Sequence, residues 1–128
     1  MNLILDTHVF IWWVEGNERL SKSALKIISD PKNTVHISAV VAWEIAIKAQ
    51  LGSLLITRSP REYIAEHVVK SGFVPLPISL SHASRVSELP ALHKDPFDRI
   101  LIAQALHENY SLVSNNEVIK KYKVKITW

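Results

Sequence analysis

Residues 93–106 have the sequence HKDPFDRILIAQAL, and they contain the strongest helix signal of the chain. Pro96 suits the first turn of a helix, because the N–H that proline lacks has no helical partner there. Asp95 is a candidate N-cap, and Asp98 falls in the first turn, where the helix dipole favours a carboxylate. The residues after Asp98 are apolar on nearly every side. This pattern predicts a central helix that is buried almost all round.

Two carboxylates at the start of a buried helix have two interpretations. In the first, Asp95 and Asp98 cap the helix and form a salt bridge with Arg99 or Lys94. In the second, both acids point into a cleft and bind a metal ion. The rest of the chain is needed to distinguish them.

The composition is that of an ordinary globular protein. The chain has 128 residues, of which 48% are hydrophobic and 21% charged, so we expect a single domain over residues 1–128. No apolar run reaches the roughly 20 residues of a membrane span, and no signal-peptide pattern opens the chain, so we expect a cytoplasmic protein without a membrane partner. Cysteine is absent, which excludes disulfides and thiolate metal sites. The net charge of +3 is compatible with a polyanionic partner.

Strands and helices alternate along the whole chain. Strands are predicted at residues 1–5, 35–38, 110–114 and 124–126, and the two prolines within 73–78 make that segment an edge strand or a loop. Helices are predicted over residues 9–14, 22–29, 39–51, 63–70, 79–87 and 96–108, with a short one over 117–121. This alternation predicts an α/β fold of three layers (α/β/α), with a parallel sheet of four or five strands and helices on both faces.

Polar residues follow three of the predicted strands. Asp6 comes directly after the first strand, although it could equally be the N-cap of the helix over residues 9–14. Ser38 ends the second strand, and Asn115 and Asn116 follow the third. Because the carboxyl ends of parallel strands lie at one edge of the sheet, we expect these side chains near one another.

Glu44 is almost alone as an acid among the apolar residues of its helix, where an unpaired carboxylate is costly. It could pair with Lys48 one turn later, an interaction worth only a few tenths of a kcal/mol at a surface. Alternatively, Glu44 faces an acidic centre shared with Asp6. Several converging carboxylates repel one another unless cations bind them, and oxygen ligands without cysteine suit Mg²⁺ or Mn²⁺. A metal held in this way can lower the pKa of a water that attacks a phosphodiester.

Five segments match, in order, the pattern of a known family. They are LILDTH (3–8), SAVVAWEIAIK (38–48), LG (51–52), HKDPFDRILIAQA (93–105) and LVSNN (112–116). With these segments the chain resembles PIN-domain proteins, specifically the VapC-type toxin ribonucleases of bacterial and archaeal toxin–antitoxin pairs. The resemblance covers essentially the whole chain, and its most specific piece is the stretch from Asp95 to Arg99.

This resemblance implies a metal-dependent endoribonuclease, the toxin of a type II toxin–antitoxin system. In the family, three or four acids bind Mg²⁺ or Mn²⁺, and a metal-activated water hydrolyses single-stranded or loop RNA. The resemblance implies Asp6, Glu44 and Asp98 as the core catalytic and metal-binding acids, with Asp95 close by as a fourth candidate for both roles. It further implies an RNA substrate, a cognate antitoxin protein and a homodimer. The fourth acid that is usual in the family is replaced here by Asn116, which brings no charge. This replacement weakens the case for a second metal ion more than the case for the first.

Further residues are expected around these acids. Those expected to support the metal site without being its main ligands are Thr7, Ser38, Asn115 and Asn116, and Ser38 could instead be only an N-cap. Arg99 and Lys94 are candidate contacts to RNA phosphates, with a salt bridge to the neighbouring acids as the alternative. His8 and His93 are expected to be surface or loop residues rather than metal ligands, because imidazole would favour a softer metal.

Two other classes of function compete with the nuclease. Asn116 would also fit a catalytically weak member that only binds RNA or a protein. A haloacid-dehalogenase-like phosphatase also begins with an acid at the tip of its first strand. That class has the pattern Asp-x-Asp there, whereas position 8 of this chain is His.

Overall fold

The computed structural model describes residues 1–128 and is built on one parallel β-sheet of five strands. The strands are β1 (Asn2–Leu5), β2 (Thr34–Ser38), β3 (Val74–Leu76), β4 (Ser111–Val113) and β5 (Ile126–Thr127). The helices are α1 (Thr7–Glu15), α2 (Lys22–Ser29), α3 (Ala39–Gln50), α4 (Pro60–Ser71), α5 (Leu80–Arg85) and α6 (Pro96–Glu108). Two short 3-10 segments span Val86–Glu88 and Ile119–Lys121. The predicted α/β fold with a parallel sheet is confirmed.

The strand order β3-β2-β1-β4-β5 places β1 in the centre of the sheet. Leu3, Ile4 and Leu5 are all fully buried, although successive residues of a strand point to opposite faces. Both faces of the sheet are therefore covered, as the three-layer prediction requires. The chain runs outward from β1 on one side through β2 and β3 and on the other through β4 and β5. The carboxyl ends of β1 and β4 consequently flank the position where open α/β sheets bind ligands.

The helix α6 is buried on every side over five consecutive residues, Leu101–Ala105, which confirms the prediction for a central helix. Its one polar residue in this stretch is Gln104, which is fully buried. The Gln104 side chain accepts a hydrogen bond from Ser38 Oγ at 2.5 Å and donates to the carbonyl of Pro77 at 3.3 Å. These bonds tie the middle of α6 to the carboxyl ends of β2 and β3.

Two predicted elements near the C-terminus differ from the structure. The short helix begins at Ile119 as a 3-10 segment rather than at residue 117, because the side chain of Asn116 accepts the N–H of Val118 at 2.9 Å and forms a turn first. The last strand is Ile126–Thr127 rather than residues 124–126. The N–H of Ser114 donates to the carbonyl of Thr127, so the pairing with β4 extends to that residue.

None of the six helices combines the length and the apolar character that crossing a lipid bilayer would require.

Shortening a side chain of α6 tests the central position of this helix. Ile102→Ala should lower the free energy of unfolding by about 2–5 kcal/mol, because Ile102 is fully buried and its removal leaves a cavity. Val69→Ala on α4 is the control, since Val69 is 80% exposed and its truncation should change stability by no more than about 0.5 kcal/mol. Urea unfolding followed by circular dichroism measures both. Equal effects of the two substitutions would contradict a core centred on α6.

Candidate functional site

A small polar pocket opens at the carboxyl edge of the sheet, and no hydrophobic side chain lines it. Its lining residues are Asp6, Thr7, His8, Glu44, Lys48, Asp95, Asp98 and Asn116. Four carboxylates thus share the pocket with one lysine. The structure therefore brings together the four acids singled out in the sequence, together with Thr7 and Asn116.

Asp6 both caps a helix and faces the pocket. One of its carboxylate oxygens accepts the N–H of Val9 at 2.9 Å, which caps α1, and the other accepts the hydroxyl of Ser114. The residue is only 5% exposed. Burial raises the pKa of Asp6 above its usual range, with a smaller rise from the charge of Glu44, and the two hydrogen bonds only partly oppose this effect.

Glu44 is buried on α3 and is held by two partners. Thr7 Oγ1 donates to Glu44 Oε1 at 2.5 Å, and Lys48 Nζ lies 2.6 Å from Glu44 Oε2. The salt bridge to Lys48 and the position beside Asp6, which were alternatives in the sequence, are therefore both present. Because the Lys48 side chain is 37% exposed, its ammonium group offsets the charge of Glu44 from the solvent side.

Asp98 enters the pocket from the first turn of α6, and Asp95 caps the same helix. Asp95 Oδ1 accepts the N–H groups of Phe97 and Asp98 at 2.9 and 3.2 Å. Asp98 Oδ2 lies 3.1 Å from His93 Nε2 and 3.4 Å from Asn116 Nδ2. Burial raises the pKa of Asp98, the bond to His93 opposes the rise, and the charges of Asp95 and Asp6 add to it.

Four of the residues singled out in the sequence lie outside the pocket. Ser38 is buried, caps α3 by accepting the N–H of Val40 at 3.1 Å, and binds Gln104 instead of an acid. Asn115 is exposed. The guanidinium of Arg99 donates to three acceptors of its own chain, and Lys94 is exposed next to Asp95.

Sequence reasoning missed two residues that contact the acids. Ser114 binds Asp6 because the parallel pairing aligns Leu5 with Val113, and the residues that follow each strand then meet. That register is not encoded in any local pattern. His93 lies in the loop before α6, which agrees with the expectation of a surface or loop residue, but its contact with Asp98 was not predicted, and its side chain is only 17% exposed. It precedes α6, so no helical periodicity links it to that acid.

A second group of potential metal ligands lies on α5 and α6. His82, His107 and Glu108 each offer one ligand atom, and these atoms lie within 4.8 Å of one another. However, His82 Nδ1 accepts the N–H of Ser79 at 3.1 Å, so the imidazole proton belongs on Nε2, which faces Glu108 Oε1 at 3.0 Å. A metal at Nε2 would have to displace this proton. We interpret the group as a hydrogen-bonded contact that joins the two helices.

The donor set of the acidic pocket fits a hard divalent cation. The pocket offers carboxylate oxygens as ligands and no sulfur atom, and Mg²⁺ and Mn²⁺ prefer oxygen ligands. Most of the hydrogen bonds to the carboxylates come from neutral donors, and Lys48 is the one lysine or arginine among the lining residues. The raised pKa values of Asp6 and Asp98 have the same cause, because burial removes these charges from water and the protein supplies little positive charge in exchange.

The sequence and the fold are similar to those of known proteins. The sequence profile of the PIN domain matches residues 3–125. Ribonuclease VapC22 of Mycobacterium tuberculosis is 26% identical over 124 residues, which cover 94% of this chain and 92% of that protein.

Solved structures with a similar fold include two DNA-bound VapBC structures. VapBC2 from Rickettsia felis, bound to a DNA fragment from its promoter, has a chain that superposes with a TM-score of 0.74 at 18% identity and covers 99% of this chain and 98% of its own. DNA-bound VapBC from Salmonella typhimurium gives a TM-score of 0.68 at 14% identity, with 99% and 97% covered. At these identities the similarity is one of fold.

The raised pKa of Asp98 predicts how pH affects stability when no divalent metal is present. A carboxyl whose pKa is higher in the folded than in the unfolded chain binds its proton more tightly when folded. Its contribution to the free energy of unfolding therefore decreases as pH rises from the usual carboxyl pKa of 3.8 through the raised value. Asp98→Asn should remove this decrease and make the metal-free protein more stable than the parent at neutral pH.

Urea unfolding across this pH range, in EDTA and in MnCl₂, measures the effect. Manganese should stabilise the parent by about 2.7 kcal/mol at roughly 100 times the dissociation constant, and the Asp98→Asn protein by less. Glu117→Gln is the control, because this side chain is 82% exposed and should change neither quantity. A parent that loses no stability relative to Asp98→Asn as pH rises would contradict the burial argument.

Proposed function

The chain belongs to the PIN domain family, and we propose that it is a divalent-metal-dependent endoribonuclease, the toxin of a type II toxin–antitoxin pair. The observation that carries this proposal is the convergence of Asp6, Glu44, Asp95 and Asp98 in one pocket without hydrophobic lining. Similarity to Ribonuclease VapC22 over nearly the full length of both chains supports RNA as the substrate. We propose Mg²⁺ or Mn²⁺ as the cofactor and the cytoplasm as the location.

We propose that Asp6, Glu44 and Asp98 hold the metal, with Asp95 at the rim of the pocket. When bound, the cation would lower the pKa of an attacking water and offset charge on the phosphate. The chain supplies the orientation of each ligand. Ser114 and the N–H of Val9 hold Asp6, and these contacts limit the rotation of its carboxylate.

The other two acids are oriented by separate groups. Thr7 and Lys48 hold Glu44 from two sides, so one carboxylate oxygen faces a hydroxyl and the other an ammonium group. Asn116 donates to Asp98 without adding a negative charge. We propose that this amide supports a metal-binding carboxylate and leaves a site whose charge suits one cation better than two.

The phosphates of an RNA strand need positive partners outside the acidic pocket. We propose Lys94 for this role, because it is exposed and directly precedes Asp95 at the rim. The guanidinium of Arg99 binds the carbonyls of Pro90 and Val86, so we assign it to anchoring the loop before α6 instead of to RNA.

We further propose that the protein forms a homodimer and binds a cognate antitoxin protein. The solved structures that share its fold include VapBC complexes, in two cases bound to DNA. The chain also exposes large apolar side chains, among them Trp43 at 51%, Leu55 at 90% and Leu80 at 90%. Such side chains are candidates for burial in protein–protein contacts.

The proposed nuclease is tested by incubating the purified protein with a mixed RNA pool in MgCl₂, in MnCl₂ and in EDTA. Cleavage should require the metal, and Asp6→Asn and Asp98→Asn should each reduce it by more than about 100-fold, since even groups that only support metal ligands are worth 10–100-fold. Asp30→Asn is the matched control, because Asp30 lies at the C-terminal end of α2, outside the lining of the pocket. An Asp98→Asn protein that cuts RNA as fast as the parent would falsify the assignment.

The neutral amide in the pocket favours a second candidate, a PIN domain that binds RNA or protein with little turnover. This candidate predicts RNA binding by the parent without metal-dependent cleavage, and activity only after Asn116→Asp adds the missing charge. Our proposal predicts that the parent already cleaves and that Asn116→Asp lowers the metal concentration needed, because a further carboxylate adds repulsion among the acids that a bound cation relieves. Cleavage rates of both proteins over a range of Mn²⁺ concentrations distinguish the two candidates.

A further inference from the structure

We infer that His93 is a positioning residue, which holds the Asp98 carboxylate in its metal-binding orientation at the end of a hydrogen-bond chain from Arg99 through Tyr122. This inference rests on the proposed function, since it assigns Asp98 to a metal. It concerns what orients the Asp98 carboxylate, whereas the similarity to the family concerns the acids themselves.

The His93 ring bridges two groups that lie far apart in the sequence. Its Nε2 atom is 3.1 Å from Asp98 Oδ2, and its Nδ1 atom is 2.7 Å from the hydroxyl of Tyr122. The side chains of His93 and Asp98 are 17% and 18% exposed, and Tyr122 is 4% exposed. The contact is therefore largely shielded from water, where a hydrogen bond constrains geometry more strongly than at an open surface.

The direction of these hydrogen bonds is fixed by the chemistry of the arginine. Arg99 Nη1 lies 3.0 Å from the Tyr122 hydroxyl, and because a guanidinium can only donate, the phenol oxygen accepts this bond. The phenol proton is then free to point at His93 Nδ1. A neutral His93 ring then carries its proton on Nε2, where it is donated to Asp98. A single tautomer of His93 satisfies all three contacts.

Arg99, the first donor in this series of hydrogen bonds, is itself held firmly. Besides Tyr122, the Arg99 guanidinium donates to the carbonyl of Pro90 at 2.8 Å and to that of Val86 at 3.3 Å. Arg99 and Asp98 are neighbours on α6. The hydrogen bonds therefore run from Arg99 through Tyr122 and His93 and end at the residue that precedes Arg99 on the same helix. The loop before α6 and the segment after β4 are thereby fastened to the same carboxylate.

This arrangement leaves one oxygen of Asp98 for a cation. Oδ2 is bound by His93 and by Asn116, whereas Oδ1 takes part in none of the chain's hydrogen bonds. In many metal sites a carboxylate supports a metal-binding histidine, and such supporting groups are worth 10–100-fold in metal affinity. Here the roles are exchanged, with the histidine supporting the carboxylate.

The test is Mn²⁺ affinity, measured by electron paramagnetic resonance on the full chain without RNA. His93→Gln keeps a donor close to the Nε2 position, while His93→Asn is too short to reach Asp98. We expect His93→Asn to lower the affinity by about 10-fold or more and His93→Gln to restore most of it. Tyr122→Phe removes the link to Arg99 with little change in volume, and its affinity should lie between those of the parent and His93→Asn. His67→Asn on α4 is the matched control and should bind as the parent does.

Two results would overturn the inference. One is parent-like affinity in His93→Asn when Asp98→Asn has lost binding, and the other is an equal loss in His93→Asn and His93→Gln. Circular dichroism of each variant excludes unfolding as the cause. RNA cleavage assayed in parallel keeps the two proposals separate, because a parent that binds Mn²⁺ but cuts no RNA overturns the nuclease and leaves the role of His93 intact.

Discussion

The structure depends most on one buried carboxylate, that of Asp6, at the end of the central strand. One of its oxygens accepts the N–H of Val9 and thereby caps α1, and the other accepts a hydrogen bond from the hydroxyl of Ser114, directly after β4. The same side chain thus sets the start of a helix, joins the ends of two adjacent strands and lines the acidic pocket. Capping uses only some of the lone pairs of this carboxylate, so it is compatible with the proposed binding of a metal.

The pocket concentrates negative charge, and the protein only partly offsets it. Burial raises the pKa values of Asp6 and Asp98, which means that their ionised forms are disfavoured relative to water, by about 1.4 kcal/mol for each unit of pKa. Neutral donors such as Ser114 and Asn116 hold the acids in place without cancelling their charge. A fold that keeps such a cluster gives up stability locally, which is expected at a functional site and not in a core selected for packing alone.

The sequence predicts the fold well because its local signals agree with one another. Asp6, Ser38 and Asp95 each lie at a strand end or loop end just before a helix, and each accepts an N–H of the helix that follows. The acids of the pocket could be predicted for the same reason, since strand ends and helix starts meet at one edge of a parallel sheet. Ser114 and His93 could not, because their contacts depend on strand register and on the path of the loop before α6, which no local period specifies. Arg99 illustrates the limit most clearly. A cation beside two acids suggests a salt bridge or a phosphate contact, yet its donors are taken by carbonyls and a phenol supplied by distant parts of the chain.

Asn116 shows how one residue can keep a structural role while changing the charge of the site. Its side-chain oxygen accepts the N–H of Val118 and forms the turn after β4, a task that an aspartate oxygen could also perform. Its amide nitrogen points at Asp98 Oδ2, where an aspartate would place a second negative charge instead of a donor. The amide therefore preserves the turn, adds a hydrogen bond to Asp98 and avoids a fifth carboxylate in a pocket that has one lysine. Since the repulsion that an acid would add has to be offset by a further cation, the amide allows a site built for fewer positive charges to keep the same backbone geometry.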